Sequence, residues 1–140
     1  MHGCKPVDTP LHVGWRKEDA TSVEVVDATV YRKLVGSLMY LVNTRPYICY
    51  AVNQLSHAMI KPTKLFRKAG KHVLHYLRGT SGYRLWYRQE DEVKLCGFTD
   101  ADWAGSPTDR KSTSGGIFSI GSTTVSWYSK KQRSMALSSA

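Results

Sequence analysis

Cysteine is scarce and scattered in this chain: Cys4, Cys49 and Cys96 are the only three. An odd number without close spacing excludes a disulfide framework and a zinc ribbon, and free thiols suit a reducing compartment. The five histidines add no metal cluster, since His72 and His75 can share a helix face but no third ligand is evident. Long apolar runs are missing too. Nothing approaches the roughly 18 residues of a membrane span, and MHGCKPVDTP has no signal-peptide core. A soluble, intracellular protein with no membrane partner is expected. The most telling gap is acidic. No Asp or Glu occurs between Ala28 and Gln89, an interval that holds eleven Lys and Arg residues, among them Arg45, Lys64, Arg67, Lys68, Lys71 and Arg78. With a formal charge of +9 over 140 residues, the chain favours a polyanionic partner, most simply nucleic acid, although charge alone also fits an anionic surface.

What is present divides into a helical half and a β half. Residues 1–26 carry Pro6, Pro10 and mixed charges with no sustained period, which reads as an extended or loosely ordered arm. Asp27 is placed to cap a helix through Tyr31, Leu34, Val35, Leu38 and Leu41, with Gly36 and Ser37 available for close packing. Asn43, Thr44 and Pro46 end it. A second helix is expected through Ile48, Val52, Leu55 and Met59, stopping before Pro62. In a third, from Lys64 to Arg78, the residues Lys64, Lys68, Lys71, His75 and Arg78 recur at steps of four, three, four and three, and so form one stripe. Phe66, Ala69, Gly70, Val73 and Leu77 take the opposite face. A solvated face usually mixes both signs, so an acid-free stripe fits a phosphate backbone, and a plain solvated face is the alternative.

Beyond the turn-rich Gly79-Thr80-Ser81-Gly82 the pattern shifts to alternation. Tyr83 to Arg88 predicts a strand, followed by an acidic connection at 89–92 and three more strands over 94–99, 114–120 and 123–129, the last two joined around Gly121-Ser122. The strand at Leu95 delivers Asp100 and Asp102 to a turn of Ala104, Gly105, Ser106 and Pro107. Two carboxylates at a strand end suit a hard divalent cation, and phosphodiester-cleaving sites hold two such ions about 4 Å apart. Asp-x-Asp before a turn is equally ordinary loop chemistry. Arg110, Lys111, Lys130 and Lys131 flank these strands beside small hydroxyl donors, a mixture suited to sugar–phosphate contacts. Trp103 and Trp127 offer surfaces for base stacking or for packing.

Longer strings carry more than these fragments. FTDADWAG, then DRKSTSGGIFSIG and VSWYSKKQRSMALSSA, resemble the opening of the ribonuclease H domain in copia-type retrotransposon polyproteins. CKPVDTPL, YRKLVGSLMYLVNTRP, AVNQLSHAMIKPT and KHVLHYLRGT resemble the segment that joins reverse transcriptase to that domain, and together the strings cover nearly the whole chain. The resemblance implies an α+β fold: an extended arm over 1–26, a helical connection segment over 27–80, and over 81–140 a truncated ribonuclease H-like domain opening with an antiparallel β-meander. It also implies that Asp100 is the catalytic Mg²⁺ ligand, with no role for Asp102.

In that family ALSS continues into Glu-Ala-Glu-Tyr, whose first Glu is a second metal ligand, and two Asp residues follow later. The sequence given stops at Ala140. One carboxylate of four cannot position two Mg²⁺ ions, so the expectation is a polyprotein fragment with no ribonuclease activity of its own and no stably bound metal. The polymerase core with its paired Asp is absent on the same grounds, so no DNA synthesis is expected. Residual binding of RNA–DNA hybrid or duplex is expected through Lys64, Lys68, Lys71, Arg78, Arg110, Lys111, Lys130 and Lys131. The alternatives are a hybrid ribonuclease completed by a longer product or a second chain, and a domesticated binding module built on the basic helix. An uncovered meander also exposes an edge, through which self-association is expected.

Overall fold

A computed structural model describes residues 3–15, 24–89, 93–102 and 110–135. It has the expected α+β order, three helices and then a three-stranded antiparallel sheet, in two units, Met1–Arg84 and Leu85–Ala140. In the first unit Asp27 opens helix α1 (Ala28–Val42). Its Oδ1 accepts the N–H groups of Thr29 at 2.7 Å and Val30 at 3.3 Å, an N-cap of the kind that contributes about 1 kcal/mol. Tyr31, Val35 and Leu38 recur at four- and three-residue steps and are buried. A 3₁₀ turn (Pro46–Ile48) leads into α2 (Cys49–Ser56), which buries Ala51, Val52 and Leu55. This helix is shorter than the expected 48–59. Ala58 and Met59 donate to carbonyls only three residues back, and Arg32 Nε donates to the Met59 carbonyl at 3.1 Å, so the chain tightens and turns before Pro62.

Helix α3 (Lys64–Gly79) lies where its period predicts and buries Ala69, Gly70, Val73 and Tyr76. These residues, with those of α1 and α2 and with Trp15, make one core. The Tyr31 hydroxyl donates to the Leu55 carbonyl at 2.7 Å, tying α1 to α2 inside it. Close helix approach falls at Gly70, where an added Cβ would sit 2.9 Å from Leu34 Cδ2. Gly36, the residue that sequence assigns to close packing, has nothing within 4 Å. No described helix is long and apolar enough to cross a membrane.

The described part of the N-terminal arm, residues 3–15, runs through turns and bends and is docked on α3. Trp15 is 7% exposed and meets Phe66 edge-on at 5.3 Å. His72 and His75 each donate a ring N–H to an arm carbonyl, Thr9 and Lys5 respectively, both at 2.9 Å. Sequence period cannot register this docking, because it rests on isolated contacts between distant segments rather than on a repeat. Arg45 closes the far end of α3, donating to the carbonyls of Thr80 at 3.1 Å and Ser81 at 3.3 Å, to that of Tyr83, and to the Tyr47 hydroxyl. Tyr83 also packs edge-on against Tyr47 at 5.8 Å. The strand predicted over Tyr83 to Arg88 is therefore absent: its first residue is held by Arg45, and none of residues 83–89 joins a sheet.

The second unit is the sheet β1 (Leu95–Ala101), β2 (Lys111–Ile120) and β3 (Thr123–Met135), in the order β1-β2-β3. Gly121 takes a positive φ of 58° in the two-residue β2–β3 turn, as tight hairpins require. Phe118 lies over its cross-strand partner Gly97 and Tyr128 over Gly116, where an added Cβ would come within 2.8 Å and 2.4 Å of the rings. Phe98, Ile117 and Trp127 line up across the other face. Every buried apolar residue described belongs to the first unit, whereas Leu95 and Phe98 in the sheet are about 70% exposed, at 71% and 69%.

Two stability effects follow from the helical unit. Gly36→Ala should stabilise it by about 0.5–1 kcal/mol, since helix propensity improves where nothing is crowded; a loss in urea denaturation would mean that Gly36 does sit in a close contact. Burial raises the Tyr31 hydroxyl well above the ordinary tyrosine pKa, and burial, then Tyr47 and Tyr83, raises Tyr76. The unfolded chain therefore loses these protons first. Stability should be flat up to about pH 10 and fall above it by up to about 1.4 kcal/mol per pH unit for each group, and Tyr31→Phe should reduce the slope. Urea midpoints measured from pH 7 to 11 check this, and a wild-type curve without a fall would refute it.

Candidate nucleic-acid interface

Helix α3 presents two chemically different halves to its surroundings. Toward its C-terminus the stripe is engaged by the arm: His75 holds the Lys5 carbonyl at 2.9 Å, and Arg78 Nη1 lies 3.6 Å from Cys4 Sγ. Toward its N-terminus Lys64, Arg67, Lys68 and Lys71 line one open groove of about 380 Å³. Arg67 was outside the stripe read from spacing, yet positions 64, 67, 68 and 71 are the four neighbours on one helix face, a signal the sequence already contained. The groove is not wholly free of acid. Residues 24–26 run beside 62–64, bridged at Val25 and Thr63, and bring Glu24 to an ion pair with Lys64. Both partners are exposed, so the pair contributes about 0–1 kcal/mol and little stands in the way of a stronger anion.

The sheet distributes its charges differently. Lys130 and Lys131 are neighbours on β3, paired with Ser114 and Thr113, and alternation sends them to opposite faces. Lys111 opens β2 opposite Met135 after a register shift, and Arg110 just before it takes a positive φ of 50°. Lys130 and Lys131 therefore do not share a face of the sheet. Trp127 lies in the Phe98–Ile117 row, and Trp103 and the turn at 104–107 lie outside the described residues.

The two carboxylates also part company. Asp100 stands exposed on β1, and its Oδ1 accepts the Ala101 N–H at 2.8 Å. Asp102 follows the last strand residue, where its backbone N–H donates to the Thr113 carbonyl at 3.0 Å and its Oδ1 accepts the Thr113 N–H. One carboxylate is a closing tie between β1 and β2; the other faces outward. Among the described residues no three His, Cys, Asp or Glu side chains gather in a way that would hold a metal ion. A two-metal centre does not fit this donor set, because paired divalent ions need several converging carboxylates.

Comparison with known proteins finds relatives over nearly the whole chain. It is 42% identical over 139 residues, 99% of its length, to the Retrovirus-related Pol polyprotein from transposon RE1 of Arabidopsis thaliana. The corresponding polyprotein from transposon TNT 1-94 of Nicotiana tabacum is 42% identical over 145 residues, again 99% of this chain. The chain belongs to the copia-type retrotransposon Pol family. It spans about a tenth of those Pol polyproteins, 10% of the RE1 protein and 11% of the TNT 1-94 protein. Secreted RxLR effector protein 161 of Plasmopara viticola is 46% identical over 110 residues, 78% of each chain. No family model matches, and no solved structure does.

Within this Pol segment the described geometry gathers one set of functional candidates, the α3 cations, and gives Asp102 a structural task. Replacing Asp102 by Ala removes the acceptor of the Thr113 N–H. Amide exchange at Thr113 should then accelerate about tenfold, the effect of losing one charge-assisted bond. Asp100→Ala should leave that amide unchanged, and equal acceleration in the two variants would refute the assignment.

Proposed function

We propose that this segment of Pol grips the sugar–phosphate backbone of nucleic acid through the α3 groove, without reading sequence, and that it does not cleave by itself. The observation that carries this reading is the groove itself: Lys64, Arg67, Lys68 and Lys71 line it, and the sequence holds no acid from Ala28 to Gln89, Glu24 reaching Lys64 from outside that interval. Such a surface gains affinity by releasing counterions from phosphates, a term indifferent to base identity. Arg78 extends the stripe beside the arm. Arg110, Lys111, Lys130 and Lys131 contribute further positive charge from the second unit. Among the described residues, Asp100 has no second and third carboxylate, His or Cys gathered beside it, which supports a reading without independent cleavage, since paired divalent ions need several ligands.

The chain is a small part of its Pol relatives, which favours one further reading. In a longer product, Asp100 joins carboxylates from elsewhere to make a ribonuclease H-like centre for RNA–DNA hybrid with Mg²⁺. Asp100→Asn in such a product should abolish hybrid cleavage and leave binding intact.

Fluorescence anisotropy with a labelled duplex tests the main reading. Four phosphate contacts predict a slope of log affinity against log salt between about −3 and −4. Changing Lys64, Lys68 and Lys71 together to Glu should abolish binding. A flat salt response, or unchanged affinity in the triple variant, would sink the proposal.

A further inference from the structure

Beside the cation groove, a second cavity of about 280 Å³ opens between α1 and α3. Its walls are apolar, from Val30, Tyr31, Leu34 and Leu74, and its polar groups are Asp27, Arg67 and Lys71. Arg67 and Lys71 line both this cleft and the cation groove, so the two openings share a border of positive charge. Given the nucleic-acid reading above, on which this rests, we propose that the cleft receives one unpaired base of a single strand while Arg67 and Lys71 hold the adjoining phosphates.

Three features select that occupant. The volume lies just under the roughly 300–1,000 Å³ typical of small-ligand sites, a match for a single planar ring system rather than a folded peptide. The walls are aliphatic, from Val30, Leu34 and Leu74, while the border is cationic, so a base can bury its apolar face as the border holds the backbone. Asp27 adds an acceptor to the polar groups: Oδ1 is engaged by the Thr29 and Val30 N–H groups, and the carboxylate as a whole favours a ligand with N–H donors. A base with an amino or imino edge supplies them, and an acyl chain with an anionic head does not. Unstacking makes a base available only in single strands, loops or frayed ends, so the cleft turns a sequence-blind groove into one that discriminates between paired and unpaired nucleic acid.

The test uses the full chain and two labelled ligands with equal numbers of phosphates, a blunt duplex and a single strand, at one fixed salt concentration. The wild-type protein should prefer the single strand by about fivefold or more, the effect of burying one base face against apolar walls. Val30 is 57% exposed, so Val30→Trp can fill the cleft mouth without entering the core. That variant should lose the preference and retain duplex binding. Titrating 5′-GMP into wild-type protein gives an independent readout: amide shifts should move at Val30, Leu34 and Leu74 together with Lys71. Should neither duplex nor strand bind, the nucleic-acid reading itself fails and the cleft assignment with it. Equal binding of the two ligands, with no effect of Val30→Trp, would overturn the cleft assignment alone. So would dodecyl phosphate or a glutamate-rich peptide shifting those amides while 5′-GMP does not.

Discussion

The insertion of one face of α3 into the seam between α1 and α2 organises the first unit. Ala69, Gly70, Val73 and Tyr76 are buried there, and Val73 and Leu55 are fully enclosed at 0% exposure. Burying side chains of this size contributes about 1.5–3 kcal/mol each, far more than any exposed charge pair on the same helix. The core therefore fixes the rotation of α3, and the cations follow because a helix has only one opposite face. Lys64, Arg67, Lys68 and Lys71 are close to one another as a consequence of packing on the other side. The chemistry of the surface is set by the chemistry of the core.

The same helix is held from three other directions, each by polar groups. Arg45 takes up the carbonyls beyond its C-terminus, His72 and His75 anchor the arm along its flank, and residues 24–26 pair with those just before its start. Lys64, Arg67, Lys68 and Lys71 line the groove in the N-terminal half of the cationic face. The same contacts bring Glu24 and Asp27 beside a helix whose own sequence carries no acid. The electrostatic surface is consequently mixed at its edge and cationic at its centre.

The sheet obeys a different constraint. A three-stranded meander has little interior of its own, and here the residues it buries are Ser112, Thr113 and Thr123, while Leu95, Phe98, Ile120 and Tyr128 remain exposed. What orders it is the ladder, the glycine positions beneath Phe118 and Tyr128, the Gly121 turn, and the Asp102 tie at the end of β1. A sheet of this size gains independent stability from a covered apolar face. The Pol relatives that the chain matches are about ten times its length.

Local signals determined the helices, the hairpin and the family. The Asp27 cap, the 3.6-residue repeat of Tyr31, Val35 and Leu38, the α3 stripe and the Gly121-Ser122 turn all act within a few residues, so they are legible without coordinates. Tertiary structure decided the rest. Tyr83 to Arg88 alternates like a strand, yet no strand forms, because Arg45 reaches across some forty residues to hold Tyr83. Gly36 and Gly70 look alike in sequence, and only the helix crossing shows which one is crowded. Asp100 and Asp102 differ by one backbone partner, Thr113, and Arg67 joins the groove and the cleft because α1 passes beside α3. Each of these outcomes depends on which distant segment arrives at a given surface, and periodicity along the chain carries no record of that.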